Sequence, residues 1–416
     1  VIKQLKNHIE IIRIETFIYD ELDRIKNYQC KGDVRTTDNS GKGIKAVVYT
    51  YDEVGNISQA DFTLDDESHG IKKFSYDEIN PFLLRRMLHS STSDYTNYEF
   101  NSLGYLSRKS QSQTVNDRLT RAKESFYSYD SSLNLSSIDQ TSYENNLACG
   151  RQVTDYKFGN SNKVMFKRTI AEGKKTEEIS TFRGCNDEII SIIDFQNKMQ
   201  YQKVNFLQGK AKQICSQSQN DTIIKKITTD NSGTPFYVMN FNNGKYKGSE
   251  VPTTDIYGSY AKSVSPVGIN GYLYDAHADG YLLGSRLYDP ECMRFTTPDD
   301  LSPFYGGNIN PYIYCNNNPV NNDDKSGYLT NEHWKIPIYI AGSLSLLSGV
   351  ATLGGSLAMS SVMMTAFSIF EIGAGISAIA SLQGEGNEYE LAVGGTASSL
   401  GLGVSLSHVF GRYKYP

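Results

Sequence analysis

The chain has 416 residues, a formal net charge of -5 and a sequence pI near 5.8. That length holds several ordinary domains, or one large repeat array with an appendage. The acidic balance argues against a dedicated nucleic-acid binder, which would carry a basic excess. Tyr is abundant, at 29 against a single Trp, and Tyr-rich segments favour pleated, half-buried β surfaces. Pro is scarce, at 11, which argues against a disordered chain. The six cysteines show no C-x-x-C pair, so a thiolate metal site is not indicated and they read as free thiols. No cofactor or metal is expected, because neither a nucleotide-binding fingerprint nor metal-ligand spacing is present. The chain starts Val1-Ile-Lys-Gln, without Met or a signal-like apolar region, so a piece of a longer open reading frame is expected.

From the N-terminus to about residue 260 a degenerate motif recurs. Its copies read Phe17-Ile-Tyr-Asp-Glu-Leu-Asp23, Tyr51-Asp-Glu-Val-Gly-Asn-Ile57 and Tyr76-Asp-Glu-Ile-Asn80. Further copies are Phe100-Asn-Ser-Leu-Gly-Tyr-Leu106 and Tyr129-Asp-Ser-Ser-Leu-Asn-Leu135, with weaker ones from Phe158, Phe182, Phe206 and Thr229. The copies step by roughly 23 to 34 residues, a period typical of stacked supersecondary units. In each copy an aromatic or β-branched run forms a strand. The Asp bonds the turn backbone, Gly and Asn accept positive φ, and an alternating segment such as Ile57–Thr63 returns. One hairpin cannot bury its apolar face alone, so neighbours must stack. An ordinary β-sandwich or propeller would satisfy the same pattern. Residues 1–16 lack the motif and read as a shortened flank. Residues 243–266 are rich in Gly, Ser, Lys and Thr and read as partly loop.

The densest signal lies further on. It runs Gly271-Tyr-Leu-Tyr-Asp275, Gly280-Tyr-Leu-Leu-Gly284, Arg286-Leu-Tyr-Asp-Pro290, Met293-Arg-Phe295 and Pro298-Asp-Asp300. It ends with Asn310-Pro-Tyr-Ile-Tyr-Cys315, Asn318-Pro-Val-Asn321 and Asp324-Lys-Ser-Gly327. This series resembles the RHS-repeat-associated core, in the variant of the C component of Tc insecticidal toxins, and the upstream motifs resemble YD repeats. The resemblance implies a mainly β fold in three parts. Residues 1–262 would form a cocoon-like YD-repeat β-shell, 263–327 the core that seals it, and 328–416 a variable, apolar α-helical effector segment cut free from the core. It also implies a secreted toxin whose partners are a second YD-repeat half or a Tc B-type component, and a translocation channel or secretion spike, with no role for nucleic acid.

The resemblance further implies an aspartyl-type autoprotease. Such chemistry needs one ionised carboxylate to activate water and one protonated carboxyl to polarise the scissile carbonyl. Asp289 and Asp299 fall where the family's best-marked acids lie, and Arg294 is the candidate cation that keeps one of them ionised. Both acids also sit in turn-forming Asp-Pro or Pro-Asp pairs, so each admits a purely structural reading. The cleavage element is Asp324-Lys-Ser-Gly327 followed by Tyr328, with the cut expected near Gly327–Tyr328. Lys325 replaces the family's usual Pro, which frees φ there and restores a backbone N–H.

Beyond Gly327 the composition changes. Residues 336–370 contain no charge, then Glu371 interrupts and the apolar character resumes. That stretch suits one bilayer span or a helical hairpin turning near Gly354-Gly355, hence a membrane-inserting cargo. A buried Gly/Ala/Ser-rich helical bundle would look the same. His408, beside Val409 and Phe410, reads as structural. Two other functions stay open: a non-catalytic YD-repeat surface protein binding carbohydrate through its Tyr-rich strands, and a contact-dependent interbacterial RHS toxin with a pore-forming cargo.

Overall fold

The computed structural model describes residues 2–5, 8–11, 13–32, 35, 37, 42–89, 94–115, 118–159, 164–183, 189–194, 199–205, 211–217, 222–229, 233–250, 254–259, 267–303, 309–324 and 326–328, with backbone alone over 2–11 and 182–221. The expected helical segment after Tyr328, Lys325 and the side chains of Cys185 and Cys215 lie outside them. Among the described residues the fold is β throughout, relieved only by two single-turn 3-10 helices, Ile269–Gly271 and Cys315–Asn317. No helix among these residues is long and apolar enough to cross a membrane.

The flank that lacks the repeat forms a two-stranded hairpin, Ile2–Leu5 with His8–Ile11. Nineteen strands follow in sequence order, from Ile14–Tyr19 to Lys245–Glu250, and they close into one barrel. Every consecutive pair is antiparallel. With an odd number of alternating strands the first and last run the same way, so the closing seam is parallel. Closure removes the free edges that an open sheet of this size would expose.

The wall strands obey the period of two that the sequence shows. Along Tyr28–Lys31 the residues Tyr28 and Cys30 are buried while Gln29 and Lys31 face water, and a register shift opposite Ile18 and Tyr19 brings Ile25 to the buried face as well. Val47 and Tyr49, Ala60 and Phe62, Met87, Tyr98 and Tyr127 continue this buried face from strand to strand. The described residues between Thr254 and Tyr328 pack against it: Tyr257, Leu287, Cys292 and Met293 join the same apolar cluster, and Tyr257 meets Tyr49 edge-on at 5.5 Å. The packed segment holds its own four-stranded sheet, Tyr274–Asp275, Gly280–Leu283, Arg286–Asp289 and Arg294–Phe295. At its centre the rings of Tyr288 and Tyr314 stack 4.0 Å apart. A wholly buried Tyr needs a partner for its hydroxyl. Tyr288 donates to the Tyr257 carbonyl at 2.7 Å, Tyr281 to the Gly258 carbonyl at 2.8 Å, and the Tyr314 hydroxyl accepts from Asn270 at 3.0 Å.

The repeat turns behave as their residues dictate. In Asp52–Asn56 the Asp52 carboxylate accepts the N–H groups of Val54 and Asn56, and Asp20, Asn101 and Asp130 do the same for their own turns. The loop after Lys245–Glu250 contains a fifth turn of this kind, at Asp255-Ile-Tyr-Gly-Ser259, with Asp255 accepting from Tyr257 and Ser259. The turns of the weaker copies fall largely outside the described residues.

These turns join alternate hairpins, so they line up along one rim. Side chains of the segment from Arg294 to Asn318 reach at least one backbone carbonyl on each of four successive turns. Asn318 donates to Asp23 at 2.8 Å, Asn317 to Gly55 at 2.9 Å, Arg294 to Phe82 at 2.6 Å and Tyr312 to Gly104 at 2.7 Å. Ion pairs add a second set of ties from the wall. Lys109 meets Asp289 at 2.7 Å, Lys123 meets Asp279 at 2.5 Å and Lys167 meets Asp275 at 2.8 Å.

The Lys109–Asp289 pair is the most buried of the three, each side chain being 4% exposed. Removing one partner strands the other charge in a dry site, at about 3–5 kcal/mol. Lys109→Met should therefore destabilise the chain by about that amount. Lys109→Met combined with Asp289→Asn should recover part of the loss. Urea melts of the three proteins check this, and a double variant no more stable than the single one would refute the account.

Candidate functional site

The site grows from one hairpin turn. Strands Gly280–Leu283 and Arg286–Asp289 are joined by Gly284-Ser285, with Gly284 at φ +58. Only a residue without Cβ enters that conformation freely. The space is also closed: a Cβ on Gly284 would lie 2.1 Å from the Ser326 carbonyl oxygen. Across the contact Gly327 adopts φ +78, and a Cβ there would lie 2.2 Å from the Leu283 carbonyl oxygen. Two glycines thus let the turn and the 326–327 segment touch backbone to backbone.

The next residue, Arg286, is 2% exposed. A guanidinium without water must place its N–H groups on protein acceptors. Its Nη1 donates to the Gly327 carbonyl and lies 3.3 Å from Asp299 Oδ2. Its Nη2 donates to the Pro311 carbonyl at 2.7 Å and the Thr297 carbonyl at 3.1 Å. The plane rests 3.7 Å over the Phe295 ring, a cation–π contact.

Two carboxyl groups share this cation. Asp299 accepts the Leu301 N–H at 2.8 Å. Burial pushes its carboxyl up from the usual range, against the pull of Arg286. Asp324 is 3% exposed and accepts from the Ser326 hydroxyl at 3.2 Å. Burial raises it to about 6; Arg286 and Ser326 oppose the rise, and the Asp299 charge adds to it. Ser326 Oγ also accepts the Tyr328 N–H at 3.2 Å. A hydrogen-bonded line therefore runs from Asp324 through Ser326 to the nitrogen of the Gly327–Tyr328 peptide, whose carbonyl Arg286 holds. Such an array can polarise a carbonyl and activate water, and its donors point from the Tyr328 N–H through the Ser326 hydroxyl to Asp324.

Of the residues expected to act here, Asp299, Asp324, Gly327 and Tyr328 come together. Asp289 and Arg294 serve elsewhere. Asp289 is committed to Lys109 and accepts the Glu291 N–H at 3.0 Å. Arg294 caps the Phe82 carbonyl, reaches Asn56 Oδ1 at 3.4 Å and lies over the rings of Tyr76 and Tyr312. The cation at the acid site is Arg286. In the sequence it carries one signal, its place two residues after the Gly284 turn, and that signal does not separate it from Arg294.

No protein-family model matches the chain, and no curated protein matches it. Among solved structures, the TcdB2-TccC3 complex aligns at 13% identity with a TM-score of 0.36, over 76% of this chain and 21% of that one. The Photorhabdus luminescens Tc holotoxin pore aligns at 13% identity and a TM-score of 0.36, over 77% of this chain and 20% of that one. A porin-like protein from Bacteroides uniformis aligns at 11% identity and a TM-score of 0.30, over 52% of this chain and 94% of that one. The chain spans about a fifth of the length of the Tc structures it matches. Scores of this size carry no functional argument.

The raised carboxyl of Asp324 has a consequence for stability. An unfolded Asp titrates near about 3.9, whereas in the folded chain Asp324 titrates at about 6. The folded state holds the proton more tightly, so this contribution is complete below about pH 4 and is lost as pH rises through about 6. Asp299 acts with the same sign. Asp324→Asn should flatten the slope and, at pH 7, gain up to about 3 kcal/mol over the parent. Thermal melts across pH 4–8 check this, and parallel profiles for the two proteins would refute it.

Proposed function

We propose that this chain is a component of an RHS-type toxin, in which the β-barrel houses the C-terminal segment and the packed segment hydrolyses the Gly327–Tyr328 bond to free it. The observation that carries the proposal is the Arg286 hydrogen bond to the Gly327 carbonyl, made by the same Nη1 that lies 3.3 Å from the half-buried Asp299 carboxylate, with the buried Asp324 carboxyl two residues before Ser326. Asp299, paired with Arg286, stays ionised and takes a proton from water. The hydroxide adds to the Gly327 carbonyl carbon, and Arg286 stabilises the developing oxyanion. Asp324 keeps its proton longer, because two carboxyls near one another do not ionise together. For the leaving step the Ser326 hydroxyl turns from Asp324 to the lone pair that the Tyr328 nitrogen gains, donates its proton there and takes the Asp324 proton in return. The C–N bond breaks, and the products are a Gly327 carboxylic acid and a Tyr328 amine, with Asp299 left protonated and Asp324 ionised.

The released piece, 328–416, is proposed to insert in a target membrane, on the strength of its uncharged 336–370 stretch. The sequence resemblance supplies the rest of the proposal: a secreted protein, a second YD-repeat half or Tc B-type component as partner, and a translocation channel or secretion spike for delivery.

The test is intact mass after expression of the full chain, with Asp299→Asn and Asp324→Asn beside it. The parent should yield a fragment ending at Gly327. Each variant should cut at least about a hundredfold more slowly, the usual yield of positioned acid–base catalysis. A parent chain that stays whole, or variants that cut at the parent rate, would defeat the proposal.

A further inference from the structure

Ser285 has no part in the chemistry above, yet it is 8% exposed and faces the reacting segment. Its hydroxyl is hydrogen-bonded to the Tyr328 hydroxyl, 43 residues away along the chain. Its neighbour Arg286 binds the Gly327 carbonyl, and the same guanidinium lies 5.7 Å from the Tyr328 ring centroid. Two consecutive residues of one tight turn therefore hold the two sides of a single peptide bond. Arg286 takes the carbonyl side and Ser285 the side chain on the amine side. The register between them is fixed by the backbone contact of Gly284 with Ser326 and of Gly327 with Leu283.

We infer that Tyr328 is the specificity residue on the leaving side of the cut, and that Ser285 is the positioning residue that reads its hydroxyl. The inference rests on the self-cleavage proposed above. A phenol hydroxyl lies far from its own Cα, so its anchoring restrains rotation of the 327–328 peptide about its ends. The Gly327 carbonyl carbon is then held facing Asp299 and its water. Phe at 328 keeps the ring and the contact with Arg286 but loses the anchor. Ala at 285 loses the anchor while leaving the turn, whose special φ belongs to Gly284, intact.

The test is a time course of self-cleavage by intact mass, on the full chain and its Ser285→Ala, Tyr328→Phe and doubly substituted forms. Each single substitution should slow the cut roughly fivefold to tenfold, the worth of one hydrogen bond to the reacting segment. The double form should be no slower than either single one, because both remove the same bond. Melting midpoints of the four proteins are followed in parallel and should agree. Singles that cut at the parent rate, rate losses that multiply in the double form, or rates that merely track falling midpoints would each overturn the inference while leaving self-cleavage standing. A parent chain that is never cut would overturn both, and it is the only outcome that does so.

Discussion

A guanidinium shut away from water organises the part of this molecule where chemistry can happen. Arg286 has more donors than one neighbour can accept, and an unpaired buried donor is costly. Its two Nη groups are met by Thr297, Asp299, Pro311 and Gly327, while Nε is buried without a hydrogen-bond partner. Those residues come from three stretches of the segment, which backbone hydrogen bonds such as Asp299 N–H to the Pro311 carbonyl also hold together. The planar fork of Arg makes the convergence specific, where an ammonium would tolerate several arrangements. Because one Nη1 faces both the Asp299 carboxylate and the Gly327 carbonyl, the cation that offsets burial of the acid also marks the peptide beside it.

The barrel supplies the apolar face on which the segment carrying that guanidinium packs. Its wall presents Tyr, Phe and Met on the buried face, and its rim presents the repeat turns as a row of backbone carbonyls. Asn and Tyr side chains of the packed segment, with Arg294, meet at least one such carbonyl per turn. A repeated local geometry thus becomes a repeated docking point, and the spacing of the repeats sets where the packed segment sits. The lysines of the wall add charge complementarity, with Lys109, Lys123 and Lys167 each opposite an Asp of the segment.

Much of this was legible in the residues. Asp52-Glu-Val-Gly-Asn56 and its relatives form hairpin turns because a carboxylate two to four residues upstream of the N–H groups it accepts makes a local, self-sufficient unit. The alternation along Tyr28–Lys31 likewise needs only the period of a strand. The turn at Asp255–Ser259 carries the same Asp-x-x-Gly pattern and was readable too, although its position within a Gly- and Ser-rich stretch suggests loop. The acid site was only half legible. Asp299, Asp324, Gly327 and Tyr328 stand out as motif residues, but Asp289 with Arg294 resembles a catalytic pair equally well, and they are neighbours across the strands Arg286–Asp289 and Arg294–Phe295.

The sequence by itself determined that the chain is β-rich, that its hairpins recur with a period of roughly 23 to 34 residues, and that its Tyr, Asn-Pro and Asp-Pro signals cluster at 271–327. These properties depend on neighbours within a few residues. Only the tertiary structure decided which arginine serves the acids and which acid serves a lysine. Arg286 and Arg294 differ in their surroundings by contacts up to 238 residues away, such as Arg294 with Asn56, and Asp289 meets Lys109 across 180 residues. Burial and pairing at such distances set whether a charge is held for structure or left facing a peptide bond, and no local pattern encodes them.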